Sequence, residues 1–454
     1  MMQDRHLTRR SFLQTISASA ILAGKFAPRQ QPNIVMVVVD DQGTNDAGCY
    51  GNPVIKTPGL DLLAEHGTRF THGFCTTASC SASRSVILSG LYNHANGQYG
   101  HMHAFHHFKT FDHVQSLPTR LHRAGYRTVR TGKYHVAPPS VYAFEEEITA
   151  ARSSPIERAE ACAPIFDQED GRPFFLYFCT SEPHRPFVRD GSDPVSPDEV
   201  LVPDYLPDLP ETRKELARYY MSVQRADRGL LRLIELLQNS GKWENTVVVF
   251  ISDNGVAFPG AKTTLYEPGM RLPCVIRRPD VAPGVCDAMV TWADLSPTLL
   301  DLAGVIEEAP AMHGRSFKNA MMQGSTEGWN EVFASHTFHE ITMYYPMRVV
   351  RGRRYKLIWN IAHGLPYPFA TDLWASETWQ ATLSRGLTHY GKRPVKDYLE
   401  RPRFELYDLV NDPHEVHNLA GDPAHQSILE DYQNRLRAYQ QKTGDPWILK
   451  WEYE

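Results

Sequence analysis

Asn33-Ile34-Val35-Met36-Val37-Val38-Val39-Asp40-Asp41 is the stretch that decides the fold. From Ile34 to Val39 there is no polar break, and most of the residues are β-branched. Such a run reads as a parallel strand buried on both faces; a strand with one wet face would alternate. It ends in two carboxylates, at the carboxyl end where open α/β sheets keep their sites. Adjacent carboxylates repel each other unless a cation lies between them. Two further runs share the design. Phe174-Phe175-Leu176-Tyr177-Phe178 leads into Ser181-Glu182-Pro183-His184-Arg185-Pro186, and Val247-Val248-Val249-Phe250-Ile251 leads into Ser252-Asp253-Asn254-Gly255. Buried strands that each end in polar side chains predict an α/β fold with its site along one sheet edge.

The segments between these strands read as helices and short strands. Thr57-Pro58 opens a helix as cap and first-turn proline, with Gly67 as its stop. Ser116 to Ala124 is a second helix, stopped by Gly125. Tyr126 to Arg130 is a short strand leading to Gly132-Lys133-Tyr134-His135, where an extended chain points Lys133 and His135 the same way. Ala137 to Arg172 shows no clear pattern, and the proline-rich segment from Asp193 to Pro210 reads as a surface loop. Thr212 to Ser240 carries Leu216, Tyr219, Tyr220, Val223, Leu230, Ile234 and Leu237 at helical spacing. Ser296-Pro297 starts a helix that ends at Gly304. From about Asn330 hairpins replace this alternation. Val349 to Ile358 is one hairpin, and Glu405-Leu406-Tyr407-Asp408 with its Asn411-Asp412-Pro413 turn is part of another. A helix from about Ala424 to Lys442 closes the chain. The domains expected are 1–31 as leader and linker, 32–329 as the main domain, and 330–454 as a small antiparallel-sheet domain.

The chain has 454 residues, 42% hydrophobic and 22% charged, with a net charge of -5. That balance offers no global attraction for a polyanion, so nucleic acid is not an expected partner and any anionic substrate needs local cations. The seven cysteines, at 49, 75, 80, 162, 179, 274 and 286, are scattered and form no CxxC pair. They do not read as a disulfide framework. Thr8-Arg9-Arg10-Ser11-Phe12-Leu13-Gln14 has the pattern of a twin-arginine export signal, followed by a weakly apolar Ile16–Ala23 segment too short to span a bilayer. Cleavage after Ala23 or Ala27 is expected, with delivery by the twin-arginine translocase to a bacterial periplasm or beyond.

Cys80-Ser81-Ala82-Ser83-Arg84, followed by Val86-Ile87-Leu88 and Gly90, places a cysteine at a helix N-terminus with Arg84 on the same face. A thiol beside a helix dipole and a guanidinium is biased towards reactivity. Asp40, Asp41, Asp253 and Asn254 offer hard oxygen donors from two strand ends, a set that suits Ca²⁺, with Mg²⁺ second, over any soft metal. The histidine-rich stretch His94, His101, His103, His106 and His107 lacks an HExxH spacing and reads as pocket lining or surface rather than a zinc motif.

Cys-x-[Pro/Ala]-Ser-Arg at Cys80–Arg84, together with Gly125-Tyr126-x-Thr128-x-x-x-Gly132-Lys133-x-His135, resembles the two signatures of the sulfatase family. Alanine at position 82 stands where the family usually has proline. The resemblance runs from Asn33 to Asp412-Pro413 and implies an alkaline-phosphatase-like fold: a mainly parallel sheet flanked by helices, with a smaller C-terminal α+β domain containing an antiparallel sheet. It further implies that Cys80 is oxidised to Cα-formylglycine by a maturation enzyme, and that Asp40, Asp41, Asp253 and Asn254 hold a calcium ion with position 80 as a further ligand. A hydrated formylglycine then attacks sulfur through one hydroxyl, and the sulfated diol collapses through the other. Arg84 and Lys133 hold the diol and developing charge, Lys262 clamps a sulfate oxygen, His184 is the candidate acid and His135 the candidate base.

Within the family the resemblance extends to the sulfamidases, on stretches such as His106-His107-Phe108, Pro183-His184-Arg185 and His339-Glu340-Ile341-Thr342-Met343. It implies a sulfated glucosamine saccharide as substrate, losing its N-sulfate at the non-reducing end of heparin or heparan fragments. The alternatives are an O-sulfatase on another sulfated glycan, or a glycan-binding protein if Cys80 is never matured. His106, His107, Glu182, His339 and Glu340 are the candidate sugar contacts. Glu182 reads either as a carboxylate raising the pKa of His184 or as a structural partner of Arg185. A homodimer is compatible with this reading.

Overall fold

The computed structural model describes residues 31–149, 154–189, 193–305, 312–323 and 326–452. The expected signal at Thr8–Gln14, the Ile16–Ala23 segment and both cleavage positions lie outside the described residues. No described helix is long and apolar enough to cross a membrane.

Residues Asn33–Val39 form strand β1, buried at every position. In chain order the sheet continues with β2 (Thr68–Phe74), β3 (Arg127–Thr131), β4 (Glu146–Ile148), β5 (Phe174–Cys179), β6 (Thr246–Ser252), β7 (Arg271–Arg277) and β8 (Gly284–Thr291). Their spatial order is β4-β3-β5-β1-β6-β7-β2-β8. Only β7 runs antiparallel, to β6 on one side and β2 on the other. The two-sided burial of β1 is literal. Ile34, Met36 and Val38 enter the apolar layer on one face, whereas Val35, Val37 and Val39 enter the layer on the other. Each fully buried side chain of this size contributes ~1.5–3 kcal/mol, so β1 fixes the register of the sheet.

The helix expected from Thr212 runs from Pro210 to Asn239 and covers one face with Ala226, Leu230, Leu233, Ile234 and Leu237. Pro58–Glu65 and Leu117–Arg123 form as expected. The chain leaves the second of these through Gly125 at φ +91°, which a Cβ would strain. The helix before Gly304 spans Leu295–Leu302. Strands β2, β7 and β8 have no counterpart in the sequence reading.

The remaining strands are β9 (Glu331–His336), β10 (Met347–Gly352), β11 (Tyr355–Asn360), the two-residue pair β12 (His389–Tyr390) and β13 (Arg393–Pro394), and β14 (Phe404–Asp408). An antiparallel sheet of four forms in the order β14-β11-β10-β9. The β10–β11 hairpin matches the expected one. The second expected hairpin does not form. Glu405–Asp408 instead pairs with β11, Tyr355 opposite Asp408. The turn after it closes, with Asp412 N–H donating to Asp408 O at 2.7 Å, but the free edge of β11 offers the longer ladder. Helix Gln426–Thr443 covers this sheet through Leu429, Tyr432 and Leu436. Residues 32–454 form one unit in which Val332, Ala334, Met347 and Val349 share the apolar layer of the large sheet.

Candidate active site

Strands β1 and β6 are parallel neighbours with Val39 opposite Ser252, so Asp40-Asp41 and Asp253-Asn254 emerge side by side. The ladder extends one step further, Asp253 N–H donating to Val39 O at 3.1 Å. Asp41 then turns at φ +70°, and its own N–H donates to Asp253 Oδ1 at 3.3 Å. Helix Cys80–Ser89 points its first residue at this edge and ends at Gly90, φ +69°. Cys80 Sγ lies 3.8 Å from Asp41 Oδ1 and 3.4 Å from Asn254 Nδ2. Donor atoms of Asp40, Asp41, Cys80 and Asp253 all fall within 4.8 Å of one another, every residue buried. The predicted convergence is therefore present.

Three cations surround the cluster. Lys133 Nζ binds Asp40 Oδ2. Lys262 Nζ lies 2.9 Å from Asp41 Oδ2 and 3.1 Å from Asp372 Oδ2. Arg84 donates through Nε to Asp253 Oδ2 at 2.8 Å and through Nη1 to Lys133 O at 2.9 Å. Burial and the repulsion of Asp40 still push Asp253 above the usual carboxylate range, while Lys133 and His184 overcome burial to hold Asp40 below it. Asp40 Oδ1 and Asn254 Oδ1 are buried without a hydrogen-bond partner. Two unsatisfied oxygens in a carboxylate cluster are what a hard divalent cation neutralises, so these residues fit the metal that the family uses.

The expected reactivity of the thiol is not found. Burial pushes the Cys80 thiol well above its ordinary pKa despite Lys133 and Lys262 nearby. Arg84 shares the helix face but directs its guanidinium to Asp253. Desolvation outweighs the two ammonium groups, and an unmodified Cys80 is held as a neutral thiol.

An open pocket of about 1010 Å³ reaches Asp40 and is lined by Lys133, His135, His184, His339, Glu340 and Asp372, among others. Lys133 and His135 share this pocket, but not by strand alternation. The chain past β3 turns at Gly132 (φ +80°) and His135 (φ +54°). His184 donates its Nδ1–H to Arg185 O at 2.5 Å, which leaves Nε2 facing Asp41 at 3.8 Å and Asp372 at 4.0 Å. His135 Nε2 sits 2.7 Å from His103 Nδ1. Burial and Lys133 hold His135 well below the ordinary histidine pKa, so it is neutral.

The sugar-side candidates divide. His106 lines the pocket and accepts from Ile341 N–H at 3.1 Å. His339 also lines it, bonded to Ser79 Oγ at 2.9 Å and His101 Nε2 at 3.0 Å. Glu340 accepts from Thr371 N–H and Oγ1 at 2.9 and 3.0 Å, fixing the turn that carries Asp372. His107 is exposed on the loop, at φ +54°, and is not among the lining residues. Glu182 lines the pocket, and it is not the partner of Arg185. It pairs with Arg225 at 3.2 Å, and Arg185 pairs with Glu215 at 2.5 Å. Asp372 and Arg225 also line the pocket and escaped the sequence reading, whereas His101 lines it as one of the histidines read as pocket lining or surface. Asp372 follows Thr371 at the start of a four-residue helix in a region with no recognisable motif.

A mainly parallel sheet with a carboxylate cluster and a helix-borne cysteine at its carboxyl edge is the alkaline-phosphatase-like fold of sulfatases. The chain belongs to the sulfatase family, whose model matches residues 32–153 and 156–305. A second model, N-sulphoglucosamine sulphohydrolase, C-terminal, matches residues 260–364. Human N-sulphoglucosamine sulphohydrolase is 35% identical over 92% of this chain and 92% of its own length. An ulvan-active sulfatase of Formosa agariphila is 29% identical over 94% and 84%. Among solved structures, a protein in complex with its substrate D-glucosamine-2-N,6-O-disulfate superimposes with a TM-score of 0.70 at 19% identity, covering 92% of this chain and 99% of the other. The phosphonate monoester hydrolase of Agrobacterium radiobacter shares the fold as well, with a TM-score of 0.66 at 18% identity over 91% and 96%. The fold alone therefore does not choose the reaction. The protein is a sulfatase, a class that generally uses formylglycine and a divalent metal.

Proposed function

We propose that this sulfatase removes the N-linked sulfate of N-sulfoglucosamine at the non-reducing end of heparin or heparan fragments. The observation that carries the reading is the convergence of Asp40, Asp41, Cys80 and Asp253 beneath a pocket whose walls include His184, His339 and Glu340. Support for the substrate comes from the segment matched by the N-sulphoglucosamine sulphohydrolase model. It contains Lys262, His339 and Glu340.

Asp40, Asp41, Asp253 and Asn254 would hold the metal, and an all-oxygen set favours Ca²⁺ over Mg²⁺, which demands a stricter octahedron. Cys80 Sγ occupies the place of the hydrated formylglycine oxygens, which supply the nucleophile once the residue is matured. The chain's own residues do the rest. Lys262 and Lys133 present positive charge to the sulfate oxygens from fixed positions, with no reorganisation needed as charge develops. Arg84 keeps Asp253 oriented. His184, with Nδ1 engaged by a carbonyl, exchanges its proton at Nε2, which faces the pocket; that is the proton for the departing nitrogen. Neutral His135 accepts a proton in the second half of the cycle.

We further propose maturation of Cys80 by a formylglycine-generating enzyme and export by the twin-arginine pathway, on the strength of the Cys80–Arg84 and Thr8–Gln14 motifs. Replacing Arg9 and Arg10 by lysine should leave activity in the cytoplasmic fraction; unchanged export would remove that reading. The test of function is turnover by matured enzyme of N-sulfoglucosamine, glucosamine 6-O-sulfate and a small aryl sulfate. Preference for the first supports the proposal. Preference for either ester makes the protein an O-sulfatase. Unmodified Cys80 in the native host, seen by mass spectrometry, would leave a glycan-binding protein.

A further inference from the structure

We propose that His101, His103 and His135 form a nitrogen-donor site for a divalent transition-metal ion such as Zn²⁺, in the wall of the substrate pocket and sharing no residue with the carboxylate site. One ring nitrogen from each histidine lies within 4.8 Å of the other two. The ring centroids are 4.8 Å apart for His101 and His103, 5.0 Å for His101 and His135, and 4.8 Å for His103 and His135. All three line the pocket, so an ion held there keeps a fourth position open to solvent or ligand. Three imidazoles with one open position is a common zinc arrangement, and imidazole suits Zn²⁺, Cu²⁺ and Ni²⁺ rather than Ca²⁺.

A second observation points to a ligand. His101 Nδ1 and His135 Nδ1 are both buried without a hydrogen-bond partner, and His101 is 7% exposed. On the other ring nitrogens, His101 Nε2 meets His339 Nε2 at 3.0 Å, outside the triad, whereas His135 Nε2 meets His103 Nδ1 at 2.7 Å within it. Tetrahedral zinc wants neighbouring nitrogens about 3.3 Å apart, given Zn–N bonds of ~2.0–2.1 Å. A small rotation of His103, the exposed member on its loop, opens the shorter pair. Burial also keeps His101 and His135 in the neutral form that a metal requires.

The local charge permits it. Lys133 and Lys262 lie nearby and oppose a cation, but each is already paired, with Asp40 and with Asp41 and Asp372. Glu340 adds a favourable negative field at His103. Occupancy would take His135 out of proton transfer, so this site is inhibitory. That consequence rests on the mechanism proposed above; the binding itself does not.

The test uses Co²⁺ as probe on matured full-length protein held in saturating Ca²⁺. One Co²⁺ per chain should bind, with visible bands of a low-coordinate nitrogen site that Zn²⁺ erases. His103→Gln should weaken it by at least the roughly 10–100-fold that loss of even a supporting residue costs, with an unchanged melting temperature. His101→Gln provides the second variant. Zn²⁺ inhibition of turnover should weaken by a similar factor in His103→Gln. Equal Co²⁺ binding in wild type and both variants, or none in wild type, overturns the proposal. Because the spectrum needs no substrate, a failure here is distinct from a failure of the substrate assignment.

Discussion

The guanidinium of Arg84 serves Asp253, and its loss should therefore register as lost stability before it registers as lost chemistry. Both groups are fully buried, and removing one member of such a pair costs about 3–5 kcal/mol. Arg84→Ala should lose about that much in urea unfolding of metal-free protein. With saturating Ca²⁺ the loss should shrink, since a cation then compensates Asp253. An equal loss in both conditions would show that Asp253 is not a metal ligand. His184 permits a sharper prediction. An amine cannot leave without a proton, whereas an aryl oxide can. His184→Ala should lower turnover of N-sulfoglucosamine about 10²–10⁴-fold and barely touch an aryl sulfate. Equal losses on both substrates would remove His184 as the acid. These residues were legible in the sequence because each follows a strand or a signature. Asp372 was not. It reaches Lys262 through a turn fixed by Glu340, and no local pattern announces a contact made across the fold.

At the scale of elements, the strands that carry chemistry were readable because burial on both faces writes an unbroken apolar run. Strands β2 and β8 were not. Thr68–Phe74 mixes Thr, Arg and His with its buried Phe70 and Phe74, and Gly284–Thr291 begins exposed. Strand β7 carries a proline and an arginine at each end, which masked a buried antiparallel strand. The four-stranded sheet is tied to the C-terminal segment by Arg348, which meets Asp445 bidentately at 2.6 and 2.9 Å, both groups buried. Burial raises the Asp445 pKa, but Arg348 outweighs it and holds the carboxyl at about 2. A depressed carboxylate contributes stability above its unfolded value of ~3.9, and that contribution is lost as pH falls towards the folded value. Asp445→Asn should destabilise the protein by about 3–5 kcal/mol near neutral pH, and the difference from wild type should narrow between about pH 4 and pH 2. A difference that stays constant with pH would mean that packing, not the ion pair, holds this segment.

For the whole molecule, the large sheet places the ligands, and His339 and Glu340 on the loop after β9, with Thr371 and Asp372, complete the pocket, so metal and fold are coupled. Saturating Ca²⁺ at about 100 times its dissociation constant should stabilise the folded chain by about 2.7 kcal/mol. Calorimetry with and without chelator reads this directly, and the stabilisation should vanish in Asp253→Ala. An identical melting temperature in Ca²⁺ and chelator would mean that the cluster is satisfied by Lys133, Lys262 and Arg84 alone. The central claim remains which sulfate the assembled site removes. The most direct measurement gives matured enzyme one substrate that carries both options, D-glucosamine-2-N,6-O-disulfate, and follows by NMR which sulfate leaves first. The predicted product is a free amine with the 6-O-sulfate intact. Loss of the 6-O-sulfate with the N-sulfate retained would contradict it.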